Sequence, residues 1–198
     1  MVLRLLSRLL PGRRGAVVAV AATLGLAACG GAGDGAALSY VARDPAPQQT
    51  FSIAVLPLAN LTNQTEAGMI VGLLVESALY DAGLFTLREG TAVRAALAEA
   101  KIDAGRLGND IDSRLLAQLL DVDGVLTGAV GEYGYKFSLR EEPAVGVTLR
   151  LVDREGRVLY ASSDAELGGG LLARDSVSHA AARLVDRMVG RLADGVQP

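Results

Sequence analysis

The chain has 198 residues, only 8 of them aromatic, one cysteine and one histidine, with a formal net charge of -3. Four of the 19 basic residues and none of the 22 acidic ones precede residue 29, so the rest of the chain carries 15 basic against 22 acidic residues, a net of -7. That excess of acid argues against nucleic acid or anionic lipid as a partner, because phosphate recognition needs clustered Lys and Arg. A single cysteine excludes an internal disulfide.

Met1 to Arg14 is basic, with Arg4, Arg8, Arg13 and Arg14, and Gly15 to Ala28 is apolar. An apolar stretch of this length fits the core of a signal peptide, about 7 to 15 residues, and falls short of the roughly 20 of a membrane-spanning helix. It ends in Leu26-Ala27-Ala28-Cys29. Small residues at 27 and 28 fit a signal-peptidase pocket, and the Cys29 thiol is a nucleophile that can take a diacylglyceryl group. The tetrapeptide resembles the bacterial lipobox at all four positions. The resemblance implies a lipoprotein signal peptide over 1–28, lipid on Cys29 and, since Gly30 and not Asp follows, the periplasmic face of the outer membrane as destination. Two or more acyl chains suffice for stable anchoring.

Residues 29–50 are rich in Gly, Ala, Pro and Gln and poor in large apolar side chains, which predicts a flexible tether spanning about 25 Å root-mean-square. Residues 51–198 are then one periplasmic α/β domain. Ile53 to Leu56 is a buried strand stopped by Pro57, and Asn60 to Thr65 is a polar loop. Thr65 is placed to cap a helix from Glu66 to Ala82, with Ile70, Leu73, Leu74, Ser77 and Ala78 as its buried face and Gly83 as its stop. Phe85 to Arg88 reads as a strand. Thr91 is placed to cap a helix that buries Val93, Ala96, Leu97 and Ala100, and after a loop over 104–110 a short helix begins at Asp112 or Ser113, carrying Leu115, Leu116, Leu119 and Leu120.

Gly124 to Gly131 is strand-like and leads into Tyr133, Tyr135 and Phe137. The alternation of Val145, Val147, Leu149 and Leu151 is the clearest period-two signal, and the Asp153 to Gly156 turn joins it to an antiparallel partner at Arg157 to Ala161. Ser163 to Asp175 reads as a Gly-rich loop. A terminal helix from Ser176 buries Ala181, Leu184, Val185, Met188 and Leu192 and carries Arg183, Arg187 and Arg191 on another face, which reads as solvated. The order βαβααβββα predicts a mixed sheet with helices packed against it.

Ile53 to Thr62, Leu120 to Gly128 and the hairpin from Val147 to Tyr160 resemble the periplasmic domain of CsgG-type lipoproteins, the TolB N-terminal domain and LpoB-type activators of penicillin-binding proteins. The resemblance covers most of residues 51–192 and implies a TolB N-terminal-like fold. It also implies a non-catalytic lipoprotein that binds a periplasmic or outer-membrane protein in envelope or secretion assembly. LpoB-like activation of a peptidoglycan synthase is one version; the alternative is a CsgG-like homo-oligomer in a secretion complex. The interval between the Val130 and Val145 strands looks too short and too charged for the membrane-spanning hairpins of CsgG-type channels, so the fold carries over and the pore does not.

No catalytic motif appears and no cofactor or metal is expected. His179, the sole histidine, reads as a surface or packing residue. Asp110, Asp112, Asp121 and Asp123 are dense enough to suggest calcium but lack its loop register and distal Glu, so capping and solvation explain them better. Tyr133, Tyr135 and Phe137 alternate along one strand, and Gly131 and Gly134 would let another backbone come close; core packing and a partner-binding edge both account for them.

Overall fold

The computed structural model describes residues 38–41, 51–103, 112–137, 141–168 and 176–196, all within the compact unit Ala32–Pro198. In chain order the elements are β1 Leu38–Val41, β2 Ser52–Val55, β3 Ala59–Asn60, α1 Ala67–Ala82, β4 Thr86–Arg88, α2 Gly90–Glu99, α3 Ser113–Leu119, β5 Gly124–Phe137, β6 Glu141–Asp153, β7 Val158–Leu167 and α4 Val177–Val196. Setting aside β1 and β3, this is the expected βαβααβββα.

One mixed sheet runs β1-β7-β6-β5-β2-β4, with β3 also paired to β5. Its first half is parallel: β2 lies between β4 and β5. Alternate residues of β2 face opposite layers. Ile53 and Val55 join α1 and α4 in the larger core, while Ala54 and Leu56 join α2 and α3 in a smaller one. Its second half is the antiparallel meander β5-β6-β7 closed by β1. There Val145, Val147, Leu149 and Leu151 point to the α4 side, while Thr148 and Arg150 are exposed on the other.

Several expectations shift by local chemistry. Helix α1 buries Ala67, Val71, Val75 and Leu79 most deeply; of the expected stripe Leu74 and Ala78 pack half-buried against the same core, while Leu73 and Ser77 are exposed. The helix is apolar nearly all round, so periodicity alone does not choose its inner face. Gly68 fits the observed phase: a Cβ there would lie 2.6 Å from the Leu58 carbonyl oxygen, so the close approach of the helix to the chain leaving β2 needs glycine at this position. Glu66, and not Thr65, is the N-cap residue, without a side-chain bond. The loop before it is held by Asn60, whose amide donates to the Gln64 carbonyl at 2.7 Å and accepts from the Thr62 amide at 3.0 Å. Gly83, at φ +61°, closes α1 as expected. Helix α2 is capped by Glu89, which accepts from the Ala92 amide at 2.9 Å and from the Thr91 hydroxyl, and Ala100 is exposed. Asp112 does cap α3, accepting from the Arg114 amide at 2.9 Å.

Two larger departures concern strands. β1 lies inside the range expected to be tether. Four residues, Leu38-Ser39-Tyr40-Val41, pair antiparallel with β7 from Leu38↔Ser163 to Val41↔Tyr160. Leu38, Tyr40 and Val41 are strand-forming residues, but the Gly-, Ala-, Pro- and Gln-rich residues around them mask so short an edge strand in the composition of the stretch. The second departure is the β5–β6 hairpin. Residues 131–144, read as too short and too charged for a membrane-spanning hairpin, are strand over 131–137 and 141–144, in register from Glu132↔Gly146 to Phe137↔Glu141. β7 likewise runs to Leu167 through residues expected to be loop.

The Asp153 turn is built by one buried carboxylate, which accepts from the Glu155 amide at 3.0 Å, the Arg157 amide at 2.8 Å and the Arg157 guanidinium at 2.7 Å. Gly156 takes φ +85°, where a side chain would be strained.

Candidate interaction surface

Strand β5 changes neighbours along its length. β2 covers Gly124 to Leu126, and β3 covers Ala129 and Val130. The Leu61 amide then donates to the Val130 carbonyl at 2.9 Å. A bulge follows at Gly131, and beyond it, among the described residues, β5 is paired only with β6. The open side of residues 132–137 is therefore a sheet edge. Unpaired strand edges are the places where another backbone can add.

Register puts Tyr133, Tyr135 and Phe137 opposite Val145, Pro143 and Glu141, on one face of the strand. Their environments differ. Tyr133 packs against the larger core, with its hydroxyl 3.4 Å from the Ser178 hydroxyl of α4. Tyr135 is 51% exposed. The Phe137 side chain lies outside the described residues, as does Cys29. At Gly131 and Gly134 the space a Cβ would occupy is open, and Lys136 pairs with Glu132 at 2.6 Å on the opposite face.

Arg183, Arg187 and Arg191 do not form the solvated face expected of them. β7 turns Tyr160, Ser162, Asp164 and Glu166 toward α4, and the three arginines, one helical turn apart, meet them. The Asp164 carboxylate, 2% exposed, accepts from Arg187 Nε at 3.1 Å and Arg191 Nη2 at 2.7 Å. Glu166 pairs with Arg183 at 3.1 Å and Arg187 at 2.9 Å. The Tyr160 hydroxyl donates to the Met188 carbonyl at 2.7 Å. Burial opposes the charge of Asp164, but bonds from Arg191, Arg187 and the Ala165 amide override it and hold its carboxyl below the usual range. The acids of this network lie in the stretch read as loop. Their signal was present: polar residues at 160, 162, 164 and 166 in period two match basic residues at 183, 187 and 191 in period four.

The clustered aspartates are likewise structural. Asp112 caps α3, Asp121 pairs with Arg154 at 3.1 Å, and Asp123 accepts from the Ser52 hydroxyl at 2.6 Å and amide at 2.8 Å, tying β2 to the start of β5. Asp110 lies outside the described residues. Among the described residues no group of three His, Cys, Asp or Glu side chains is placed to hold a metal. His179 is exposed on the first turn of α4, its amide donating to the Ser176 hydroxyl at 3.2 Å.

One feature was not foreseen. Between α1 and α2, over the chain from Val55 to Leu58 at the carboxyl end of β2, lies a mainly apolar cleft of about 390 Å³. Met69 and Leu73 of α1 and Leu97 and Ile102 beside them supply its walls, and Glu76 and Arg94 its charged groups. The Glu76 carboxyl packs against the first residue of α2, where a Cβ on Gly90 would lie 2.5 Å from it. Burial raises its pKa, the Arg94 charge opposes the rise and Glu89 adds to it. The crevice at the carboxyl end of parallel strands, where successive crossovers take opposite faces, is where α/β folds commonly place binding sites.

No family model matches the chain, and no curated protein matches it in sequence. Solved structures do match. The PelC dodecamer of Paraburkholderia phytofirmans superposes with a TM-score of 0.56 and 23% identity, over 79% of this chain and 96% of its own. The lipoprotein GNA1162 of Neisseria meningitidis superposes with a TM-score of 0.57 and 26% identity, over 73% of this chain and 99% of its own. The LpoB C-terminal domain of Salmonella enterica reaches only 0.46 at 18% identity, over 60% of this chain and 83% of its own, too remote to argue from.

Proposed function

We propose that this chain is a lipoprotein held by lipid on Cys29 at the periplasmic face of the outer membrane, with an α/β domain that works by binding protein in envelope or secretion assembly. The open edge of β5 beyond Val130, with Tyr135 exposed on it, carries the reading. An edge offers main-chain hydrogen bonds, and an exposed tyrosine beside it offers an anchor of the kind enriched at interface centres. The likeness to lipoprotein GNA1162 supports the lipoprotein half. LpoB-like activation of a peptidoglycan synthase is one form this binding would take. A second reading, a homo-oligomeric component of a CsgG-like transport complex, is favoured by the PelC dodecamer, which shares the fold.

Two measurements test the proposal. Cys29→Ala moves the protein from the membrane fraction to the soluble periplasm; retention in the membrane refutes the lipid anchor. A photo-activated cross-linking residue at position 135 gives a discrete adduct in living cells, while the same group at exposed Arg150, on the other face of the sheet, does not. No adduct at 135, or the same adducts at both positions, refutes the binding edge.

A further inference from the structure

Beyond the bulge, the peptide groups of β5 are turned to receive a further strand. The Pro143 carbonyl accepts from the Gly168 amide at 2.6 Å, so at this residue the backbone of β6 faces β7. Tyr135, its partner in register, therefore sits in a pair without mutual hydrogen bonds, and its own N–H and C=O point away from β6 into the open edge. Alternation along the strand gives Tyr133 the same direction and Gly134 the reverse. The Val130 carbonyl obeys the same relation ahead of the bulge: its side chain shares the core-facing side with Tyr133, and it accepts from the Leu61 amide on the side away from β6.

The residues along this edge are Glu132-Tyr133-Gly134-Tyr135-Lys136: acid, aromatic, glycine, aromatic, base. Reversed, the pattern is the same with the charges exchanged. An antiparallel partner runs in reverse, so a second copy turned about a two-fold axis through Gly134 sets Glu132 opposite Lys136, Tyr133 opposite Tyr135 and Gly134 opposite itself. This register also satisfies the peptide groups. Tyr133 and Tyr135 exchange hydrogen bonds across the axis, and Gly134 falls in a non-hydrogen-bonded pair, where Cα atoms approach to about 4.5 Å. Moving the axis by one residue either way puts Gly134 opposite Glu132 or Lys136 and leaves both charges without their opposites. Within the chain Glu132 and Lys136 pair at 2.6 Å, with side chains 35% and 58% exposed. That contact need not break: each charge gains its opposite across the axis, and four charges alternate in sign around the two glycines. Opposite charges facing each other across a ladder favour the pairing, and like charges disfavour it.

We propose that the partner of this edge is a second copy of the chain, joined antiparallel about a two-fold axis through Gly134. The two β5 strands then link two sheets into one, and the exposed Tyr135 of each copy is set beside Tyr133 of the other. A patch that meets itself in this way closes at two copies. The proposal rests on the binding-edge reading and names its partner.

The test uses the lipidated full-length protein in detergent, where wild type has the native mass of a dimer. Lys136→Glu and Glu132→Lys, both outside the core, each give the mass of a monomer with an unchanged circular-dichroism spectrum, because like charges then face each other across the axis. Mixed in equal amounts, the two variants give a dimer again, with one copy of each. A side chain at Gly134 meets nothing of its own chain within 4 Å, and the Cα separation at the axis suits a disulfide, so Gly134→Cys links two copies on mild oxidation. Gly131→Cys, further from the axis, does not. A wild type that is monomeric at every concentration, or a dimer that both charge changes leave intact, overturns the proposal. The photo-activated residue at position 135 separates it from the binding-edge reading. An adduct with the mass of two copies supports both; a discrete adduct with another protein, and no Gly134→Cys disulfide, overturns self-pairing alone; no adduct overturns both.

Discussion

Removing the Asp164 carboxylate should strand two guanidiniums, and the size of the loss can be worked from their exposure. Breaking a buried ion pair by deleting one partner costs about 3–5 kcal/mol when the remaining charge has no access to water. Here the Arg187 and Arg191 side chains are 39% and 26% exposed, and Arg187 keeps Glu166 at 2.9 Å, so rehydration returns part of the loss. We expect Asp164→Ala to cost about 2–3 kcal/mol and Asp164→Asn, which keeps the shape and one acceptor, about 1–2 kcal/mol. For a domain of this size the alanine change corresponds to a fall of roughly 5–10 °C in melting temperature. Urea unfolding followed by circular dichroism measures it. A double-mutant cycle with Arg191→Ala should return a coupling of about 1–2 kcal/mol. The sign with pH follows from a depressed carboxyl. The stabilisation is complete above the unfolded-state value of about 3.9 and disappears as pH falls through the lower folded value, so Asp164→Asn should flatten the acid limb of the stability curve. A cost below about 0.5 kcal/mol, or no coupling to Arg191, would refute the reasoning and make the network a screened surface array.

Glu76 should behave with the opposite sign. Its raised carboxyl contributes stability below the unfolded-state pKa that is lost as pH rises through the folded value, so Glu76→Gln should be more stable than wild type at pH 7 and lose that advantage near pH 4; thermal melts at both pH values decide it. Gly128→Ala should destabilise by about 1–3 kcal/mol or more, because the added Cβ would sit 2.2 Å from the Thr148 carbonyl oxygen across the β5–β6 ladder, and an unchanged melting temperature would contradict that packing.

The parts of the fold legible in the sequence were those where one face is wet and the other dry. β6 alternates Val145, Val147, Leu149 and Leu151 against exposed partners, and α4 separates its leucines from its arginines; both were placed with their buried residues correct. α1 was found but turned wrongly, since a helix apolar on both sides carries no phase in its hydrophobicity. The far end of β7 was missed because its polar and small residues obtain their bonds from distant strands and from α4, information that no local window contains, while in β1 the strand-forming Leu38, Tyr40 and Val41 were passed over inside a stretch of tether-like composition. The aromatic triplet was legible as a strand face, but not its division: Tyr133 meets α4, 45 residues away from it at Ser178, and Tyr135 does not. The α1–α2 cleft left no local trace, being made by residues from four separate stretches brought to the end of β2.

The place of β1 on the sheet alters what the lipid on Cys29 would do. With Leu38 paired to β7, eight residues separate Cys29 from the sheet, a length of chain that spans at most about 29 Å. Lipid on Cys29 would then keep the β1 edge within about 29 Å of the leaflet. Encounters between neighbours become lateral, within a thin layer where effective concentration is high, so contacts too weak to persist in solution can hold at the membrane.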